Sequence, residues 1–442
     1  MMVQLPQVKQ EKVETEIGSH FVANYPPFSV WSREHVPAAI DRLDAGPYPE
    51  TPLGLYLHIP FCRKRCRFCY FRVYTDKNGS EVDIYMDALA REVDAYADRP
   101  GLAGRQFEFV YFGGGTPSFL SSQQLTRMIE RINTRWTWSA AKEVTFECEP
   151  GTLKESKLQT IKDIGVTRIS LGVEHFDDEL LEANGRAHKS PEIFRAYDWI
   201  RQVGFPQVNI DLIAGMMGET DAKWRDAVGK AIAMKPDSVT IYQMEMPHNT
   251  VLSRESKAKG EAPPIADWPT KQRWVDEAFD RFQAEGYIVS SAYTLVKPTE
   301  RSGFVYRDAL WHGADLIGTG VASFSHFQGA HYQNVDGWDE YVERCGKGEL
   351  PINRALPITD HQRLIREMIL QLKTGRLSAG YFRTKFGQEI TGVFGEAFDS
   401  LVKEKFAEIE GDEIRLTRAG LLQVDPLLKR FFESEFRGVR YT

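Results

Sequence analysis

From residue 53 onward, short apolar and β-branched runs alternate with longer stretches in which apolar residues recur at helical spacing. The runs are LGLYLHI from 53, FEFVYF from 107, EVTFEC from 143, TRISLGV from 167, QVNIDLI from 207, SVTIYQM from 238 and YIVSSAY from 287. Between them, DIYMDALAREVDAYA, SQQLTRMIERINTRW, SPEIFRAYDWIRQVG and DAKWRDAVGKAIAM predict amphipathic helices, several opening on Ser or Asp and the third closing on glycine. Repeated strand, helix, strand units predict an α/β fold whose parallel sheet has right-handed crossovers, either open or closed into a barrel or partial barrel. Ligands of such folds gather at the carboxyl ends of the strands, and most polar oddities of this chain fall there.

The pattern also divides the chain. Residues 1–50 are rich in Pro, charge and aromatics without a steady period and read as an arm lying on the body. A core over 51–300 follows. In 301–356 the sequence turns Gly-, His- and aromatic-rich (YRDALWHGADLIGTGVASFSHFQGAHYQN), which suits a connecting or barrel-closing segment. Over 357–442, two or three helices precede a short β-pair, IEGDEIRLT, in the manner of a winged-helix module.

Composition narrows the function classes. With 42% hydrophobic and 26% charged residues the chain is of ordinary globular type. Its 55 basic against 62 acidic residues give a net charge of -7, so no global basic field exists to hold a polyanion. The stretch LVKEKFAEIEGDEI lacks a basic stripe as well, which ranks a nucleic-acid reader last. No apolar run approaches the roughly 20 residues of a membrane span, and the opening MMVQLPQVKQEKVETEIGSH lacks a signal peptide's apolar centre. A cytoplasmic location, with no membrane partner, is the expectation.

Three of the five cysteines, Cys62, Cys66 and Cys69, crowd into HIPFCRKRCRFCYF directly after the first predicted strand. Thiolates at spacings of four and three can converge on one soft metal centre and leave a coordination position open. A structural zinc loop closed by His58 or by a distant residue is the alternative. Arg63, Lys64, Arg65 and Arg67 between the thiolates either offset charge, greet an acidic electron donor, or are simply solvated. Cys148, in EVTFEC, reads as a small strand residue and Cys345, in ERCGKGE, as part of a polar, turn-like stretch; both are given structural roles.

Other strand ends carry candidates too. Gly113, Gly114 and Gly115, then Thr116, end the second run and allow backbone groups to approach a ligand, or form a bare tight turn. Glu147 and Glu149 share a face at period two and could bind an ammonium or hydroxyl. Asp211 is a charge inside the apolar run VNIDLIAG and needs a partner. Tyr56 and His58 point to the face of the cysteine loop. His312, His326 and His331 lack metal-motif spacing and read as hydrogen-bonding residues, with haem ligation the alternative.

The cysteine motif, with Phe68 just before its third cysteine, resembles the radical S-adenosylmethionine (SAM) superfamily. LYLHIPFCRKRCRFCYF, VYFGGGTPSFL, TFECEPGTL, RISLGVEHFDDELL and NIDLIAGM, in that order and spacing, are similar to the oxygen-independent coproporphyrinogen III oxidase (HemN-like) family over about residues 51–345. The resemblance implies a partial (β/α) TIM-type barrel with a small C-terminal helical, winged-helix-like domain. It implies that Cys62, Cys66 and Cys69 hold a four-iron, four-sulfur (4Fe-4S) cluster whose open iron binds one SAM molecule, with a second in some relatives. It assigns cofactor contacts to Tyr56, Phe68, Gly113, Gly114, Gly115, Thr116, Glu147, Glu174, Arg186 and Asp211. Reductive cleavage of SAM would yield methionine and a 5'-deoxyadenosyl radical, with electrons from a reduced flavodoxin or ferredoxin-type donor and a tetrapyrrole or similar conjugated substrate.

The chain departs from the family at telling places. Phe71 stands where the housekeeping oxidases carry a fourth cysteine, Tyr70 where a haem-trafficking subgroup carries Asp, and Glu174 where relatives carry Gln. A radical SAM enzyme on a tetrapyrrole, a haem-binding chaperone and a two-SAM methyltransferase or cyclopropanase are the readings that follow.

Overall fold

The computed structural model describes residues 18, 20–262, 264–299 and 303–439. Its centre is six parallel strands in chain order: β1 (Leu53–Ile59), β2 (Phe107–Gly114), β3 (Glu143–Cys148), β4 (Arg168–Glu174), β5 (Gln207–Ala214) and β6 (Ser238–Gln243). Helices fill the crossovers. Gly79–Ala97 starts on a capping box of Asn78 and Glu81, and Ser122–Ile132 on one of Ser121 and Gln124, so their first backbone N–H groups are satisfied. Their apolar stripes, including Tyr85, Leu89, Leu125 and Ile129, cover the outer face of the sheet.

Alternation within each strand separates core from lumen. Leu55, Leu57, Phe112, Phe146, Leu171, Ile210 and Ile241 are buried in the outward core. The intervening positions are polar in almost every strand: Tyr56 and His58, Tyr111, Thr145 and Glu147, Ser170, Asn209 and Asp211, Thr240 and Tyr242. Because the strands run in register, Glu147, Ser170, Asn209 and Ser238 lie level on four adjacent strands. The inner face is thus a built polar surface.

The sheet extends beyond the six. β6 pairs antiparallel with β8 (Thr294–Val296), which pairs with β7 (Ile288–Ser291). The run YIVSSAY therefore does not continue as one strand but turns back as a hairpin. On the other flank β1 pairs in parallel with β9 (Asp315–Thr319), followed by antiparallel β10 (Phe324–Phe327), β11 (Ala330–Asn334) and β12 (Ile352–Pro357). Cys345, expected in a turn, sits instead at the end of the helix Trp338–Gly346. It is fully buried one turn after Tyr341, because that stripe packs on the helix Gly79–Ala97.

The seven-residue helix Val305–Trp311 plugs the amino-terminal end of the lumen. The N–H groups of Val305 and Tyr306 donate to the Glu143 carboxylate at 3.2 Å, and buried Arg168 bonds both Glu143 and the carbonyl of Gly303. Tyr306 then packs against Tyr111 at 4.4 Å between ring centroids.

The described part of the arm lies on the body. Val22, Tyr25 and Trp31 are buried, and the helix Val36–Asp44 packs on β11 and β12. Residues 1–17 and 19 of the arm lie outside the described residues. At the other end of the chain the helix Asp360–Leu372 leads into a three-stranded sheet of β13 (Arg376–Ser378), β15 (Glu413–Leu416) and β14 (Ala407–Glu410), in that order. Asp425 ties three regions together: it pairs with buried Lys373 at 2.8 Å, accepts the N–H of Val22 at 2.8 Å, and receives the hydroxyl of Tyr293. Among the described residues no helix is long and apolar enough to cross a membrane.

Candidate functional site

The loop bearing the cysteines leaves β1 at its carboxyl end, as the parallel topology demands. Backbone bonds close its neck, Tyr74 N–H to the carbonyl of Pro60 at 2.7 Å and Cys62 N–H to that of Tyr74 at 3.0 Å. Three of the four basic residues within it make bonds that hold its shape. Arg63 donates to Glu149 at 3.1 Å and to the carbonyl of Ala187 at 3.0 Å, and Arg65 to that of Cys69 at 3.2 Å. Arg67 donates to the carbonyl of Ala183 at 3.2 Å and pairs with Glu255. Lys64 stays exposed.

Two of the thiols face hydrogen-bond donors. Thr116 Oγ1 donates to Cys62 Sγ at 3.3 Å, and Arg186 Nη1 to Cys66 Sγ at 3.3 Å. Burial pushes the Cys62 thiol up to about 11 and the Cys69 thiol up to about 12, so metal binding here has to expel protons. All five cysteines are free. Among the described residues no three His, Cys, Asp or Glu side chains converge as ligands of a single ion. In a cluster each thiolate holds a different iron, which asks for a wider spread than a single ion does.

The glycine turn faces this loop. Gly115 N–H bonds the carbonyl of Ile59 at 2.9 Å and Thr116 N–H that of Phe61 at 2.8 Å, fastening the turn to the root of the cysteine loop. Gly114 has φ +111°, and a Cβ there would lie 2.5 Å from the His58 ring. Its N–H donates to Glu147 at 3.2 Å, while Tyr111 donates to the other Glu147 oxygen at 2.8 Å. Burial raises the Glu147 carboxyl to about 7, with Tyr111 and Gly114 opposing the rise.

Further round the wall, Asp211 accepts from Ser170 at 2.8 Å and from Asn209 at 3.0 Å. Burial, aided by the charge of Glu174, raises its carboxyl to about 8. Those two side chains are the partners its strand position requires. Glu174 sits at φ +63° beside a bulge in β4, within 3.6 Å of Arg186, and burial raises its carboxyl too. Arg186 bridges Cys66 and the carbonyl of Gly172, bonding the latter at 2.8 Å. Burial opposes its charge, yet Cys66, Glu174 and Glu149 more than offset that cost. Its Nε is buried with no partner, as is His58 Nε2.

The structure therefore brings Tyr56, Gly113, Gly114, Gly115, Thr116, Glu147, Glu174, Arg186 and Asp211 around one lumen mouth beside Cys62, Cys66 and Cys69. Phe68 packs on Ile213, Met216 and Met244, Ile213 lying on the same face of β5 as Asp211. Glu149 does not pair with Glu147: Arg63, His188 at 2.9 Å and the N–H of Gly151 take its carboxylate. Despite burial, His188, Arg186 and Arg63 hold it down at about 2. His326 and His331 bond each other at 3.0 Å in a buried cluster under Trp31, and His312 caps the plug helix against Tyr381.

Sequence reasoning missed His188, Ser170, Asn209 and the lumen tyrosines 111, 242 and 306. For Ser170, Asn209, Tyr111 and Tyr242 the signal was a polar residue at every second position of an otherwise apolar run, whereas His188, in a loop, and Tyr306, in a short helix, carried no such signal.

Comparison with known proteins gives the class. The Radical SAM superfamily model matches residues 56–231, and along most of its length the chain is similar to oxygen-independent coproporphyrinogen III oxidases and heme chaperones. An oxygen-independent coproporphyrinogen III oxidase of Synechocystis is 26% identical over 427 residues, covering 92% of this chain and 86% of the relative. The heme chaperone HemW of Bacillus subtilis is 26% identical over 370 residues, covering 83% and 96%. The structure of coproporphyrinogen III oxidase (HemN) from Escherichia coli shares the fold, with a TM-score of 0.81 at 23% identity over 93% of this chain and 96% of that one. The match to the Radical SAM superfamily implies a 4Fe-4S cluster and SAM. The residues present fit both groups: free thiols with aimed donors, a turn that only glycine allows, and buried polar atoms left unpaired.

Proposed function

We propose that this enzyme acts on a tetrapyrrole or a similar conjugated substrate, with Cys62, Cys66 and Cys69 holding the cluster. The observation that carries the reading is the meeting of Arg186 with the Sγ of Cys66 opposite Gly114 and Glu147. A cation, two carboxyls and a bare backbone turn there match the carboxylate, ammonium and sulfonium of one amino-acid cofactor. Cys62, Cys66 and Cys69 would hold a 4Fe-4S cluster, which when bound and reduced would supply the electron for cleaving SAM to methionine and a 5'-deoxyadenosyl radical.

The chain's own residues do the rest by positioning. Glu147 receives the ammonium and gives up its proton on doing so. Arg186 binds the carboxylate while bonding the Sγ of Cys66. Asp211 and Glu174 take the ribose hydroxyls, and Tyr56, Gly113, Gly115 and Thr116 form the wall against which the methionyl chain lies. Phe68 braces the cysteine loop on β5. One SAM fills this set of contacts, a second being the property of a two-SAM variant of the reading. The electron donor is a reduced flavodoxin or ferredoxin-type protein.

A haem-chaperone reading draws support from Phe71, where the oxidases carry cysteine, and from the 96% of the B. subtilis chaperone that the match spans. The test is anaerobic reconstitution with iron and sulfide, then chromatography for 5'-deoxyadenosine after adding dithionite and SAM, with and without coproporphyrinogen III or haem. Formation of 5'-deoxyadenosine with consumption of one tetrapyrrole is expected, and Cys66→Ala abolishes both. Cleavage retained by Cys66→Ala overturns the assignment. Haem bound unchanged without turnover moves the chaperone reading ahead.

A further inference from the structure

Most large apolar side chains of this chain are buried, and those left in solvent are mostly scattered singly, as on any protein. Three are not scattered. Tyr70 and Phe71, 44% and 45% exposed, stack on each other at 4.5 Å between centroids and 29° between planes, immediately after the third cysteine. Tyr242, 43% exposed, stands at the carboxyl end of β6, and its hydroxyl is within electrostatic reach of that of Tyr70 and of Asp211 and Glu147. The pair is held in place: Asn249 donates to the carbonyl of Tyr70 at 2.9 Å, and Leu252 N–H to that of Arg67 at 3.0 Å. An anchored aromatic pair at the rim of a concave site, with a third exposed ring at the carboxyl end of β6, marks a place where a ligand lies.

The chemistry of the rim selects what lies there. Aromatic faces favour an offset stack with another extended π-surface, and they offer no counter-ion for carboxylates. The carboxyls behind them, Glu147, Glu174 and Asp211, offer an acidic side chain no positive partner either. We propose that Tyr70, Phe71 and Tyr242 form an aromatic ledge that binds the conjugated ring face of the substrate, whose acidic side chains are left pointing away from the lumen. Phe71 is then a specificity-determining residue. This inference rests on the conjugated-substrate reading above.

The test is an absorbance and fluorescence titration of the reconstituted protein with coproporphyrin III and with haem, for wild type and the Phe71→Ala, Tyr242→Ala, Phe71→Trp and Phe194→Ala variants. Iron content and cluster absorbance report that each is folded. Phe71→Ala and Tyr242→Ala are expected to weaken binding about tenfold, and Phe71→Trp to retain it. Phe194→Ala, an exposed aromatic on the far helix Ser190–Val203, should bind within twofold of wild type. Phe71→Ala and Tyr242→Ala binding as well as wild type overturns the ledge while leaving the substrate reading standing. A wild type that binds neither porphyrin overturns both.

Discussion

Gly114→Ala puts the geometry of the glycine turn to a quantitative test. At φ +111° an L side chain is strained, which costs about 1–3 kcal/mol. The new Cβ would lie 2.5 Å from both Cε1 and Nδ1 of His58 and 3.0 Å from its Cγ. His58 has little room to retreat: it is 4% exposed, its Nδ1 lies 3.2 Å from the Tyr56 hydroxyl, and its carbonyl is fixed by Tyr85 at 2.8 Å. Overpacking of a core in this way costs a further 1–3 kcal/mol or about that. Against a net stability of about 5–15 kcal/mol, a loss of about 2–6 kcal/mol is measurable. The lower end applies if the turn relaxes by pulling the Gly114 N–H away from Glu147, and that relaxation itself should weaken SAM binding. Urea unfolding and calorimetric titration with SAM read the two effects. Gly79→Ala is the control, since its Cβ would have nothing within 4 Å at the first residue of a helix. It should change stability by less than about 0.5 kcal/mol. Gly114→Ala matching Gly79→Ala in both assays would refute the reasoning.

Other outcomes follow from the same contacts. Glu147 titrates near 7 in the empty lumen, so SAM affinity should fall about tenfold per pH unit below that value and level off above it, in titrations from pH 5.5 to 9. A profile unchanged in Glu147→Gln would remove this carboxyl from the ammonium. Buried Glu92, raised from 4.5 to about 7 by desolvation against the donors Tyr341, Gly320 N–H and Asn334, works on stability. Its native pKa lies above its unfolded one, so its contribution is full below 4.5 and is lost as pH rises through 7, by about 3 kcal/mol. Denaturation at pH 5 and 8 should show that slope flattened in Glu92→Gln. Asp425→Asn leaves Lys373 buried without its counter-charge and should cost about 3–5 kcal/mol in thermal or urea unfolding, a loss that Asp425→Glu partly restores. An Asp425→Asn protein as stable as wild type would mean that the latch holds nothing.

What could be read in the sequence was whatever has a period. The parallel strands bury one face completely, so LGLYLHI and VNIDLIAG announce themselves, and the residues interrupting the apolar pattern, His58 and Asp211, are those that face the lumen. β10 and β11 were illegible because their short runs, FSHF and AHYQN, satisfy polar side chains through each other and through the arm. The hairpin of β7 and β8 was hidden for a different reason: Ala292 and Tyr293 turn the chain without glycine or proline, so no turn signal marks it. In the site, Cys62, Cys66 and Cys69 were evident from spacing. The roles of Arg63, Arg65 and Arg67 were not, since their partners at Glu149, Cys69 and Ala183 come from other strand ends or from backbone carbonyls that carry no sequence signature.

The plug formed by the helix Val305–Trp311 has a kinetic consequence. With Glu143, Arg168 and Tyr306 sealing the amino-terminal end, every reactant shares the mouth beside the cysteine loop. A ligand seated against Glu147 and Asp211 lies beneath anything resting at the rim. Binding in compulsory order follows, the inner ligand entering first and its fragments leaving last. Inhibition by 5'-deoxyadenosine should then be competitive with SAM and noncompetitive with the molecule at the rim.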